Sequence, residues 1–522
     1  MLKVTFQTLA LCVLLQSFAS AKLIMPVIFG DGMVLQRDTA VTLFGQASEG
    51  ASITVRFNGT EQKARAHHGR WKLVLDAMPA GGPYELIVSG DGEEIIYEDV
   101  MLGEVWLAGG QSNMAFHMGG LRDVQKRLPT KANPQVRFIK IPVTEFGDIN
   151  RNGLRWKIAD KESVHGFSAV AYFFAAELQK RLGVTVGIIG SYRGATWNEN
   201  WMTPESIRRT PELRYLFEKY DKEYGVFEDE GAYEAAYQQY LVDLEDWKKK
   251  GGWSHGMVPF APTGPKAYQR PSGLYECMIK PLQPYTIKGV IWYQGENNTA
   301  YRTEQYRDSM LQLVAGWRDH WRQEEMPFIW CQLANKNHPN TEPNDGDSWV
   351  SVQNQQREVL ALTENTGMAV LNDIGDARNI HPKNKVDAGK RLAVWAFKKA
   401  YGKEIVCSGP LYKSAQVQGS KIVIRFDHVG SGLMAGKKIG LEPTQEVDEP
   451  LKRFQICGAD RQWQWAEARI TDKNTVDVWH KEIPEPTEVR YAWSANPAGA
   501  NLYNKEGLPA SLFKTGALQV IE

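Results

Sequence analysis

Residues 105–114 read Val105-Trp106-Leu107-Ala108-Gly109-Gly110-Gln111-Ser112-Asn113-Met114. Four consecutive apolar residues describe a strand buried on both faces, and the two glycines after them permit a sharp reversal. A serine on such a turn, at the start of a helix, is where a hydrolase can expose a nucleophilic hydroxyl, with backbone N–H groups placed to receive an oxyanion. A Gly/Ser/Asn cluster is also an ordinary turn, so the rest of the chain must supply a base, an orienting acid and oxyanion donors. One alternative falls at once. The nucleophile elbow of α/β-hydrolases needs G-x-S-x-G, and position 114 is Met.

Working outward, apolar strand-like runs alternate with amphipathic ones from about residue 101. The pattern predicts strands over 105–108, 184–189, 289–293, 328–333 and 368–371, and helices over 167–182, 303–321, 350–363 and 386–401. Leu311, Val314, Trp317 and Trp321 keep helical spacing within one of them. Strands separated by helices imply parallel βαβ units in a three-layer α/β domain, whose ligand sits outside the carboxyl ends of the strands. A polar, aromatic-rich insertion, about 203–268, has helical character over 218–250 and is expected beside that face.

Both flanks read differently. Residues 40–45, 51–57 and 84–88 carry β-branched or aromatic alternation punctuated by Asn58-Gly59, Gly81-Gly82-Pro83 and Gly90-Asp91-Gly92. Residues 421–426, 463–468, 475–479 and 489–493 repeat the pattern near the other end. The expected organisation is therefore an α/β parallel-sheet domain over 101–405, flanked by β-sandwich-like domains over 22–100 and 406–522. Residues 1–21 have a basic start, a short apolar core over 9–15 and small residues at Ala19-Ser20-Ala21. That is the form of a signal peptide cleaved before Lys22, and it predicts an exported protein, periplasmic or extracellular.

The chain has 61 basic and 61 acidic residues, a balance that argues against nucleic acid or an anionic membrane as its partner. No segment reaches eighteen consecutive apolar residues, so no membrane insertion is expected. Of the five cysteines, Cys12 lies in the leader. Cys277, Cys331, Cys407 and Cys457 are widely spaced without a C-x-x-C pair, which leaves room for one or two disulfides and excludes a cysteine zinc motif.

A serine needs a histidine to take its proton and an acceptor to orient that histidine. Of ten histidines, His381 stands out by context. It lies in Asp373-Ile374-Gly375-Asp376-Ala377-Arg378-Asn379-Ile380-His381-Pro382, after the last apolar strand and before the last helix of the α/β region, with two carboxylates upstream. Turns after two other strands supply polar groups: Ser191-Tyr192-Arg193-Gly194-Ala195-Thr196 and Gln294-Gly295-Glu296-Asn297-Asn298. One N–H and one side-chain amide make a workable oxyanion hole, each donor worth about 3 kcal/mol in the transition state.

Together these blocks resemble the sialate O-acetylesterase family of SGNH hydrolases. The resemblance rests on Gly-Gln-Ser-Asn-Met at 110–114, on Gly194-Ala195-Thr196 with Glu199 and Trp201, and on Trp292-Tyr293-Gln294-Gly295-Glu296. It also rests on Pro271-Ser272-Gly273-Leu274-Tyr275 and on Asp373-Ile374-Gly375-Asp376 leading to Ile380-His381-Pro382. It covers most of the chain after the leader and implies a flavodoxin-like SGNH domain that deacetylates carbohydrate hydroxyls without a metal or other cofactor. Carried over, Ser112 is the nucleophile and His381 the base, and the Ser112 and Gly194 N–H groups with Asn298 form the oxyanion hole. Apart from the resemblance, Arg193, Gln111 and Glu296 are expected at the substrate, with Arg193 pairing either with the carboxylate of a sialic acid or with a local acid such as Glu199. The chain departs from the family at Tyr192-Arg193-Gly194-Ala195, at Glu276-Cys277, at Asn297, and at Arg378, where many SGNH enzymes carry an Asp three residues before the histidine. The orienting acid is then Asp376, Asp373 or Glu296, and Asp376 is preferred. The expected partner is an O-acetylated glycan, sialic acid first and xylan-type polysaccharide second. A non-catalytic carbohydrate-binding protein is the alternative of another class.

Overall fold

A computed structural model describes residues 22–518 except 122, 130, 144–153, 225–229, 253–258, 260–261, 263–266 and 344–345. The leader assigned to residues 1–21 lies outside the described residues.

The organising element is one long strand, Glu93–Gly110. Its first half pairs antiparallel with Gly81–Gly90, while its second half is the middle of a parallel sheet. That sheet runs in the order Thr366–Ala369, Phe328–Cys331, Gly289–Tyr293, Glu93–Gly110, Val186–Tyr192, Asn133–Lys140, with Lys157–Ala159 added antiparallel at the edge. The boundary expected near residue 100 therefore falls inside a single strand: four strands of the leading β region and the parallel sheet form one eleven-stranded sheet, while Val41–Gln46 and Arg70–Leu75 pair separately. The run 93–99 is rich in charge and the run 105–108 is solidly apolar, so the two halves do not read as one element in the sequence.

Alternation along the strand sorts its side chains onto two cores. Val105 and Leu107 join Trp292, Phe328 and Trp330 on one face, with Leu313, Val314 and Trp317 of helix Tyr306–Trp321 and Val352 of helix Ser348–Leu362. Trp106 and Ala108 join Ile188, Ile291 and Ile329 on the other, with Phe174 and Leu178 of helix Ala169–Leu182 and Leu392 and Ala396 of helix Lys385–Lys399. A strand covered on both faces has no place for polar residues, which is why 105–108 is a continuous apolar run. The strands Asn133–Lys140 and Lys157–Ala159 were not legible in the sequence, because the first opens on Asn-Pro-Gln and ends on Lys, with only four buried positions in between.

The helical insertion forms Pro204–Arg209, Tyr215–Tyr224 and Glu230–Lys249. From 411 onward the chain is antiparallel strands around a third core containing Ile424, Phe454, Val478, Tyr491 and Phe513. All four described cysteines are buried and none is joined in a disulfide among the described residues. No helix among the described residues is long and apolar enough to cross a membrane.

Gly103 marks the point where the long strand passes from one half of the sheet to the other. A Cβ built there would lie 2.2 Å from the Thr185 carbonyl oxygen, so a side chain forces the strands apart. Gly103→Ala should destabilise the protein by about 1–3 kcal/mol, seen as a lower urea midpoint. Since both halves share the strand, that loss should appear in the transition that melts the parallel sheet as well as in the leading β region.

Candidate active site

The long strand ends at Gly109-Gly110 between Tyr192 and Tyr293 of its two neighbours. Two glycines are needed there for space. A Cβ on Gly109 would sit 2.9 Å from the Trp292 ring, and one on Gly110 2.2 Å from the Tyr293 carbonyl oxygen, where φ is +126°. The reversal is closed on both sides: Gln111 N–H donates to Tyr293 O (2.9 Å) and Arg193 N–H to Gly110 O (3.0 Å). Ser112 then opens the short helix Ser112–Ala115, with Gln111 in extended conformation as its cap. The serine is half-buried at the carboxyl end of the central strand, where α/β sheets place their ligands.

Two further loops lie against it. Gly194 follows the strand Val186–Tyr192, and a Cβ on it would meet Ser112 Cβ at 3.4 Å and Cα at 3.8 Å, so its backbone runs alongside the serine. The Gly295–Asn298 turn follows Gly289–Tyr293. The buried Gln111 side chain holds this turn, its Oε1 accepting from the N–H groups of Gly295 (3.3 Å) and Asn297 (3.4 Å). Gln111, expected at the substrate, is thus a brace between the serine turn and its neighbour.

Asn298 is likewise buried. Its Oδ1 accepts from Gln294 Nε2 (2.7 Å) and the Asn198 N–H (3.1 Å), and its Nδ2 donates to Glu199 (3.4 Å). A direct oxyanion donor was expected at this position; what is found is a side chain that ties the two flanking loops together. Glu199 also pairs with Arg302. The pairing of Arg193 with Glu199 is therefore replaced: Arg193 is exposed, lies 5.2 Å over the Tyr268 ring and donates to the Tyr268 hydroxyl (3.0 Å).

His381 stands on the loop between strand Thr366–Ala369 and helix Lys385–Lys399, half-buried beside Phe116, ring centroids 6.3 Å apart. Its N–H donates to Asn379 Oδ1 (2.8 Å). Burial, and then the cations Lys385 and Lys383, hold its imidazole below the ordinary histidine pKa. The three carboxylates considered as its partner separate clearly. Asp373 is bound by Arg391 through both oxygens (2.6 and 2.8 Å) and accepts from Tyr503 (3.3 Å), so it is consumed as a structural ion pair. Glu296 is buried and accepts from the amide of Asn113, and burial raises its pKa. Asp376 sits on the histidine's own loop and accepts from the Arg378 N–H (2.9 Å).

One element of the site was missed in the sequence. Lys385 is 1% exposed, donates to Asn113 Oδ1, and has the ring faces of Phe116 and Tyr293 each 5.2 Å from its ammonium. Burial pushes its pKa down to about 7, against the pull of Glu296. It opens an amphipathic helix, where a lysine reads as a solvated residue, so only its place four positions after His381 could have flagged it. Among the described residues no group of three or more His, Cys, Asp or Glu side chains could hold a metal.

A serine at the carboxyl end of a central parallel strand, flanked by a glycine backbone and a histidine loop, defines a carboxylic ester hydrolase, and the relatives agree. The family model described as carbohydrate esterase, sialic acid-specific acetylesterase, matches residues 243–398. A carbohydrate acetylesterase of Xanthomonas citri, known from its crystal structure, superimposes with a TM-score of 0.78 at 34% identity, over 95% of this chain and all of that one. The sialate O-acetylesterase of Homo sapiens is 26% identical over 90% of this chain and 87% of its own length, and that of Rattus norvegicus 28% over 89% and 88%. The chain belongs to the sialate O-acetylesterase family of carbohydrate esterases.

The depressed histidine can be observed directly. In an NMR titration, the His381 imidazole should change protonation below the ordinary value of 6.5. Because a nearby cation opposes protonation, Lys383→Met should move that midpoint upward. A midpoint that stays put would leave burial and Lys385 as the causes of the depression.

Proposed function

We propose that the protein removes O-acetyl groups from sialic acids by a two-step acyl transfer through Ser112. The observation that carries this reading is the convergence at Ser112: the Gly194 backbone lies against its Cβ, and the His381 loop is bonded to its turn through Asn113. His381 takes the hydroxyl proton as Oγ attacks the acetyl carbonyl carbon. The tetrahedral oxyanion is received by the backbone N–H groups of Ser112 and Gly194, on a turn that Gln111 and Asn298 keep rigid. Collapse breaks the bond to the sugar oxygen, which leaves with the proton from His381. Water, deprotonated by the same imidazole, then attacks the acetyl-enzyme and releases acetate. A histidine held below its ordinary pKa is already neutral, and so a competent base, at pH 7.

In this reading Asp376 orients the histidine, since it shares that loop and, unlike Asp373, has no cation partner among the described residues. Arg193 supplies carboxylate recognition: it is exposed on the loop that carries Gly194 and is supported by Tyr268 of the helical insertion. A guanidinium binds carboxylate in bidentate geometry, which distinguishes an acetylated sialic acid from an acetylated neutral sugar. The reading includes export after removal of residues 1–21, which would bring the enzyme to extracellular glycans.

Ser112→Ala should lower acetate release from p-nitrophenyl acetate by at least about 10³-fold, and His381→Ala comparably. The double variant should be little worse than either, because the groups act as a unit. Near-normal activity in Ser112→Ala would end the acyl-enzyme mechanism. For the sugar, Arg193→Ala should lose kcat/KM on acetylated sialic acid while keeping it on an acetylated neutral sugar such as acetylated xylan. Equal losses on both would remove carboxylate recognition from Arg193.

A further inference from the structure

The residue after the nucleophile makes a set of contacts that acyl transfer does not itself require. Asn113 is 1% exposed. Its Nδ2 donates to Glu296 and to the carbonyl of Ile380 (2.9 Å), and its Oδ1 accepts from the ammonium of Lys385. A carbonyl can only accept and an ammonium can only donate, so the amide has a single orientation that satisfies its neighbours. Three separate loops meet on this one side chain. It belongs to the Ser112 turn, Glu296 to the turn after Gly289–Tyr293, and Ile380 immediately precedes His381.

We propose that Asn113, fixed by Lys385, is a positioning residue that holds the His381 loop in register with the Ser112 turn. The inference rests on the acyl-transfer reading above. Ser112 is adjacent to Asn113 in the chain, and His381 is adjacent to Ile380, so the hydrogen bond from Asn113 to the Ile380 carbonyl is a short link between nucleophile and base. The His381 N–H is occupied by Asn379, which fixes the histidine's backbone from the other side. Lys385 anchors the link from beneath. It is a buried cation, which survives only with compensation; here that comes from the Asn113 oxygen, the faces of Phe116 and Tyr293, and the nearby Glu296 carboxylate.

The same arrangement gives Lys385 a second consequence. The charged and titratable groups around it are Glu296 on the third loop, Cys331 at the end of its strand, Tyr293, Lys383 on its own segment, and His381. Its charge opposes protonation of His381 across the acidic range, so the positioning device also keeps the base in its neutral form.

The test uses the full-length enzyme and reads three quantities. Asn113→Ala should reduce kcat about 100-fold, the size of loss that a misplacement of about 1 Å produces, with KM little changed. The rate at which a fluorophosphonate probe labels Ser112, followed by intact mass, should fall by a similar factor, since labelling also needs the aligned base. Asn113→Asp keeps the volume and the acceptor for Lys385 but loses both donated bonds, so it should fall with the alanine variant. Lys385→Met, a neutral side chain of similar length, should move the acidic limb of the kcat/KM profile upward toward the ordinary histidine value. A purely structural role would lower the melting temperature and leave the limb where it is. Wild-type kcat and labelling rate in both Asn113 variants, or an unmoved limb in Lys385→Met, would overturn the proposal. Ser112→Ala separates the two levels: an unlabelled, inactive Ser112→Ala with fully active Asn113 variants defeats only the positioning role, whereas an active Ser112→Ala defeats the acyl-enzyme reading itself.

Discussion

The site depends on the approach of Gly110 to Tyr293. At the end of the central strand the backbone of one strand lies so close to the next that a single Cβ would overlap the neighbouring carbonyl oxygen at 2.2 Å. That proximity lets Gln111 donate to the same carbonyl and lets the chain reverse within one residue, so that Ser112 leaves the sheet plane as the first residue of a helix. Everything else converges on the point this fixes: Gly194 from one neighbouring strand, Gly295 from the other, and the histidine loop from the far side of the sheet. An L-residue at 110 would meet both the steric overlap and an unfavourable φ of +126°.

Precision at that point comes from amides rather than from ion pairs. Gln111, Asn113, Asn298 and Gln294 are each buried and each bond across a gap between loops. A buried amide carries donors and an acceptor without the desolvation penalty of a charge, so it can bind two backbone segments at fixed separation. The closing β region extends the same device outward. Asn496 accepts from Asn335, and Asn335 in turn accepts from the Gly375 and Asp376 N–H groups at the base of the histidine loop. Gly375 allows this contact because a Cβ there would lie 2.0 Å from the Asn335 carbonyl oxygen. The closing β region therefore braces the loop that carries His381.

The parts of this arrangement that were legible in the sequence are those that repeat along the chain. Buried strands and amphipathic helices announce themselves through runs and periods, and the strands at 289–293, 328–331 and 366–369 and the helices between them are close to their expected places. The places of Ser112 and His381 in the fold were legible because each sits on a glycine-rich or acidic loop at the end of such a run. Tertiary pairing was not. Nothing local says that the strand from 93 to 110 serves two halves of one sheet, because a strand leaves no mark where its partners change. Nor could side-chain type separate Asp373 from Asp376: one is neutralised by Arg391, eighteen positions away in sequence, and the other is not. Gln111 and Asn298 looked like groups for a ligand because polar residues at strand ends usually are, yet both are turned inward to hold loops.

Lys385 poses the sharper physical question, since a buried lysine is costly and a leucine would fill the same space. Removing the cation would leave Asn113 Oδ1 without its donor and Glu296 without a charge that offsets its burial, so the cost would pass to the residues touching the Ser112 turn. Keeping it sets two opposite charges on either side of one neutral amide, Lys385 on the oxygen and Glu296 on the nitrogen. The Lys385 charge on the oxygen draws electron density from the nitrogen and so strengthens the N–H groups that Asn113 donates, including the one to Ile380. A buried ion pair in direct contact would satisfy itself and constrain little around it. Separated by an amide, the same two charges orient the side chain that sits between a serine and a histidine, and the energy spent on burying them goes into the geometry of the site.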